Sequence, residues 1–85
     1  MRRRPKPIKV KIRRALWTII FEKPPHSKGL QGRCFHNQRT IYVKLDADTR
    51  GSLLHEIAHA AIPYATEEEV CDLERATMAV LNQIP

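Results

Sequence analysis

DTRGSLLHEIAHAAIPYATEEEV, residues 48–70, carries two helix starts with a stop between them. Asp48 is placed to cap a helix from Thr49, because its short side chain can accept from the unpaired N–H groups of a first turn. Pro63 lacks an N–H and its ring collides with the preceding turn, so that helix ends near Ile62. Thr66, followed three residues later by Glu69, forms a capping box that opens a second helix. The short link around Pro63-Tyr64-Ala65 forces the two helices to fold back on each other, antiparallel.

On the first helix Leu53, Leu54, Ile57 and Ala61 form an apolar stripe, and His55 and His59 lie almost opposite it. Four residues advance the helix by slightly more than one turn, so the two imidazoles stand one above the other and their nitrogens converge. Glu56 sits about 100° round from His55, close enough to work on a group that the histidines hold. This is the spacing of a zinc site. A catalytic zinc takes three protein ligands and leaves one position for water.

No histidine follows His59, so a downstream acid is the natural third ligand, and Glu67, Glu68, Glu69, Asp72 and Glu74 compete. Glu69 is engaged by the capping box. The second helix is expected to pack through Val70, Leu73, Thr77, Val80, Leu81 and Ile84. Glu67 lies about 90° from the centre of that face and Glu68 about 170°, which favours Glu67. Glu68 is the alternative, because Asp72 four residues on could orient a ligating histidine through its second nitrogen.

Upstream, the pattern changes from helical to alternating. IKVKI from Ile8 alternates apolar and basic residues as a half-buried strand does, and ALWTIIFEK is a covered strand with Trp17, Ile19 and Phe21 on one face, ended by Pro24-Pro25. GRCF and TIYVKL read as two more strands around a polar turn at Asn37, with Ile41, Val43 and Leu45 on one side and Tyr42 and Lys44 on the other. The expected fold is α+β: a small antiparallel sheet of three to four strands followed by two antiparallel helices. TIYVKL is expected beside the cleft, as an edge strand able to hold an extended peptide.

The chain has 85 residues, enough for one small domain, here residues 8–85 behind a basic, proline-broken arm at 1–7. Residues 1–21 hold eight Lys or Arg and no acid, whereas the remainder holds seven bases against nine acids. Arg2, Arg3, Arg4 and Lys6 therefore suit a nucleic-acid backbone or an acidic partner. No apolar run approaches the roughly 20 residues of a membrane span, and none resembles a signal peptide, so a cytoplasmic protein with free Cys34 and Cys71 is expected.

The layout of strands, the R-T-I-Y-V strand, the L-L-H-E-I-A-H-A helix and the T-E-E-E-V helix resembles compact zincins of the H-E-x-x-H type. It is similar to the short zinc metallopeptidases of phages and prophages and to SprT-like and ImmA-like domains. The resemblance implies that His55 and His59 bind Zn2+, that Glu56 is the catalytic general base, and that a Glu of the T-E-E-E-V segment completes the site. It implies a peptide or protein substrate and, for a phage protein, the host cytoplasm. Tyr42, Tyr64, His26 and His36 are candidates to stabilise an oxyanion. The competing expectation is a non-catalytic, metal-stabilised module that binds nucleic acid or an acidic partner through its arm. Glu56 favours the enzyme, since a structural metal needs no general base beside it.

Overall fold

In a computed structural model, which describes residues 5–25 and 29–85, the chain forms β1 (Ile8–Ile12), β2 (Ala15–Ile20), β3 (Gly32–Phe35), β4 (Thr40–Val43), α1 (Thr49–Ala61) and α2 (Glu67–Leu81). The arm residues Arg2, Arg3 and Arg4 and the loop residue His26 lie outside the described residues. No helix among those described is long and apolar enough to cross a membrane.

The α+β order is as expected, but the sheet is mixed rather than antiparallel. Its strand order is β1-β2-β4-β3, with β2 and β4 parallel and the other two pairings antiparallel. The reason lies in which strand can fill a central position. Ile41 and Val43 of β4 are completely buried, whereas β3 offers only Gly32 and Cys34 to the same face, so β4 takes the place beside β2. β3 is left at the edge, and with it the role expected of TIYVKL beside the cleft. Main-chain bonds pin both ends of β4: Thr18 N donates to Arg39 O (2.9 Å) and Lys44 N to Gln31 O (2.9 Å).

The register defines two faces. Val10, Ile12, Ala15, Trp17, Ile19, Phe21, Cys34, Ile41 and Val43 point to one side, where Leu53, Ile57, Ala60 and Ala61 of α1 close a single core over them. Leu45, expected on that face, lies beyond the end of β4 and is 43% exposed. Leu54 takes no part in the core cluster.

Helix boundaries follow the expected signals with one change. Asp48 occupies the N-cap position of α1 but its side chain makes no capping bond; Asp46 Oδ1 instead accepts from Asp48 N (2.8 Å), and Thr49 Oγ1 donates to the carbonyls of Lys44 and Asp46. The capping box of α2 is complete, with Glu69 N donating to Thr66 Oγ1 (3.1 Å) and Thr66 N to Glu69 Oε1 (2.8 Å). α2 does not, however, pack through the face its apolar residues define. Only Val70 is buried, while Leu73, Val80 and Ile84 are exposed. α1 turns its histidine edge and Gly51 toward α2, and the matching surface carries Glu67, Glu74 and Met78. A Cβ on Gly51 would stand 2.9 Å from Glu74 Oε2, so the helices approach closely there.

The β1–β2 hairpin is closed by Arg13 and Arg14, both in the left-handed region at φ 50° and 65°. Two positive φ values are the geometry of a type I′ turn, which favours Asn-Gly and disfavours residues with long side chains. Left-handed backbone costs an L-residue on the order of 1–2 kcal/mol. Replacing Arg13 with Asn and Arg14 with Gly together should therefore raise stability by about 1–2 kcal/mol, read as a higher urea midpoint at unchanged slope. A lower midpoint would place the turn elsewhere.

Candidate metal centre

His55 and His59 stand one turn apart on α1, and Glu67, in the first turn of α2, reaches back to both. His55 Nε2 lies 2.6 Å from Glu67 Oε1, His59 Nε2 lies 2.9 Å from Glu67 Oε2, and the two Nε2 atoms are 3.2 Å apart. Glu68, exposed and on the other side of α2, takes no part in this cluster, and Asp72 pairs with Arg75 at 3.0 Å. Of the competing acids, Glu67 is thus the one that meets both histidines.

The residue not anticipated in this position is Glu74. Its Oε1 is 2.8 Å from His55 Nδ1, the orienting role weighed for Asp72. Glu74 follows Glu67 by two turns of α2 and so shares its face, a spacing visible in the sequence once Glu67 is chosen.

These contacts have a direct electrostatic consequence. With Nδ1–H donated to Glu74, a neutral His55 has only a lone pair at Nε2. That lone pair faces a carboxylate oxygen and a second imidazole nitrogen, so a cation, either a proton or a metal ion, has to bind among them. Burial works against charge on His55, but the hydrogen bonds to Glu74 and Glu67 outweigh it and the net shift is upward. Desolvation is the largest single influence on Glu67 and lifts its carboxyl, but the hydrogen bonds and charges of His55 and His59 together outweigh it, leaving the carboxyl below the usual range.

The spacing also suits a metal. Two ligand atoms on a tetrahedral zinc, at bond lengths of about 2.0–2.1 Å, are separated by about 3.3 Å; the Nε2 atoms, 3.2 Å apart, meet that spacing, whereas the Glu67 oxygens, at 2.6 and 2.9 Å, stand in direct hydrogen-bond contact with the rings and would move apart around an ion. The histidine side chains are 15% and 22% exposed and Glu67 is 67% exposed, so the cluster has a solvent-facing side where water could complete the coordination. An overlapping donor set is His55, Glu67 and Cys71, whose ligand atoms lie within 4.8 Å of one another. Burial and the neighbouring Glu67 and Glu74 charges push the Cys71 thiol up, away from the thiolate form that binds metals.

Glu56 is 9% exposed, the one buried charged side chain of the core among the described residues. Burial lifts its carboxyl above the ordinary range, and the two histidines only partly offset this. Gly32 of β3 makes the room: a Cβ there would lie 3.1 Å from Glu56 Cγ and 3.0 Å from Tyr42 O. The cluster opens into a cleft of about 780 Å³ between β3 and the two helices, lined also by Leu30, Gln31, Arg33 and His36. His36 is the one described oxyanion candidate on the cleft wall. Tyr42 projects from the other face of the sheet, and Tyr64, 83% exposed, lies under Arg13 beyond the end of α1. Cys34 also faces the cleft, its thiol pushed up to about 11 by burial and by Glu56, which leaves it an inert hydrophobe.

No family model, curated protein or solved structure matches the chain. The functional reading therefore rests on these residues and distances.

Competition titration against a chromophoric chelator tests the centre. Glu67→Gln should weaken zinc binding far more than Glu68→Gln, which should match the unsubstituted protein. Glu74→Gln should fall between, at about 10–100-fold, the usual effect of losing a partner that orients a ligand. Cys71→Ser should leave zinc uptake unchanged; a large loss there would move the centre to the overlapping donor set.

Proposed function

We propose that the chain is a compact, zincin-like zinc peptidase, with His55, His59 and Glu67 as metal ligands and Glu56 as general base. The observation that carries this reading is the convergence of two imidazole nitrogens and one carboxylate beside a buried, pKa-raised acid that the cluster itself does not use. A purely structural metal gives no reason to bury Glu56 there. Two nitrogens and a carboxylate oxygen form a donor set suited to zinc.

Zinc bound there supplies a Lewis acid, lowering the pKa of a water towards about 7 and polarising a scissile carbonyl. Glu56 accepts the water proton as the nucleophile attacks and delivers it to the leaving amine. Glu74 holds His55 by Nδ1, fixing the ring with Nε2 toward the ligand position. The free edge of β3 offers main-chain donors and acceptors to an extended peptide laid along the cleft, in place of the edge first expected of TIYVKL. His36 is the described side chain best situated on the β3 wall to support a developing oxyanion.

Glu56→Gln separates chemistry from binding, because the amide keeps the size of the side chain and cannot take the proton. It should retain stoichiometric zinc and the thermal midpoint while lowering hydrolysis of a quenched-fluorescence peptide library by at least about a hundredfold. If the zinc-loaded protein itself cuts nothing in the library, the metal serves stability alone.

A further inference from the structure

The second face of the sheet has no helix on it. α1 packs on the side of Ile41 and Val43, and α2 packs on α1. On the opposite side the register brings together Lys9 and Lys11 of β1, Leu16, Thr18 and Ile20 of β2, Thr40 and Tyr42 of β4, and Arg33 and Phe35 of β3. Leu16 is 60% exposed, and Lys9 lies across the surface, donating from Nζ to Thr18 Oγ1 at 2.7 Å. Phe35 and Tyr42 pack edge to face with centroids 5.6 Å apart, and the Arg33 guanidinium lies 5.0 Å over the Phe35 ring.

Charge is segregated between the layers. The four strands contain no acid, whereas the two helices hold six acids against two arginines. The open face is thus basic at one side and aromatic at the other, with small hydroxyl and apolar groups between. We infer that this face binds single-stranded nucleic acid, with lysines taking phosphates and the aromatic–guanidinium stack taking a base. Phe35 and Tyr42 are half-exposed on this flat support, and the guanidinium plane over Phe35 is itself a surface on which a base can stack, while every base has a π face to offer. A duplex hides its bases, so it has only phosphates to present here. The perpendicular rings provide one stacking surface rather than two. The site is therefore short and its affinity modest, and Lys9 and Lys11 contribute an ionic share that salt screens.

The test uses the full chain and labelled oligothymidylate and oligouridylate of about 12 nucleotides, within the span that such platforms cover, read by fluorescence anisotropy. The intact protein should bind both single strands more tightly than a duplex of the same length. Phe35→Leu with Tyr42→Leu keeps apolar volume but removes stacking, and should weaken binding at least about fivefold at an unchanged melting temperature. Lys9→Gln with Lys11→Gln should reduce the slope of log affinity against log salt by about 1.4, at roughly 0.7 per phosphate contact on a single strand. Glu56→Gln should bind as the unsubstituted protein does, which separates this face from the metal centre. Amide shift mapping on the unsubstituted protein gives a readout that no folding defect can mimic, with the largest changes expected at Lys9, Lys11, Arg33, Phe35 and Tyr42. Shifts confined to residues 1–7, or equal competition by polyglutamate together with unaffected leucine variants, would overturn the proposal in favour of the arm or an acidic protein partner.

Discussion

α2 is held to the domain by a contact that ordinary core packing does not explain. Val70 is its one buried side chain, and two of its large apolar residues, Leu73 and Val80, face solvent. What remains is the set of bonds from Glu67 and Glu74 to His55 and His59, in which electron-rich atoms approach within 3.2 Å of one another. Such an arrangement is favourable only with positive charge inside it. In the proposed reading a bound metal ion would supply that charge, and its binding free energy would then be partly the free energy of docking α2. This coupling suits a chain of 85 residues, in which a single hydrophobic core provides little surplus.

The same constraint shapes the rest of the molecule. For the histidines to face α2, α1 must turn its remaining surface to the sheet, and Glu56, next in sequence, is carried toward β3. Gly32 suits that point, because a Cβ there would stand only 3.0 Å from the Tyr42 carbonyl and 3.1 Å from Glu56 Cγ, so its neighbours would have to give way by a few tenths of an ångström. Placing the glycine strand at the edge leaves the centre of the sheet to β4, whose Ile41 and Val43 fill it. Local helix geometry, strand order and the position of the cleft are thus linked through one pair of side chains.

The parts of this design legible in the sequence are those governed by near neighbours along the chain. The His55–His59 spacing, the Thr66–Glu69 box and the alternation in β2 and β4 each follow from a fixed period or a capping rule, and each is found where expected. The helical angle that favours Glu67 over Glu68 is measured from an apolar face that α2 does not pack through, so the place of Glu67 beside both histidines is owed to the polar bonds and not to that angle. What escaped is set by tertiary choice. Arg13 and Arg14 carry no turn signal, since side chains of their kind are rare at positive φ. The parallel pairing of β2 with β4 depends on which strand best fills a central slot, and periodicity does not rank strands. The face of α2 was misjudged because hydrophobicity pointed to Leu73 and Val80 while the polar bonds to α1 decided the rotation. Glu74, weighed only as a possible ligand, escapes as the partner of His55 Nδ1 for the same reason.

The parallel ladder between β2 and β4 also divides the chain by sequence separation. β1 with β2, β3 with β4, and α1 with α2 each close through a short link and can form early, on the timescale of local loops. Joining the first hairpin to the remainder requires the chain from Phe21 to Arg39 to close on itself before three residue pairs align. Loop entropy is spent before those contacts form, so this pairing carries the largest closure cost of the three strand pairings. The β1–β2 hairpin is tied to the remainder by the three residue pairs of β2 with β4 and by Ile12, Trp17, Ile19 and Phe21 in the shared core. Loss of that hairpin would therefore also uncover the face of α1 that carries Leu53, Ile57, Ala60 and Ala61.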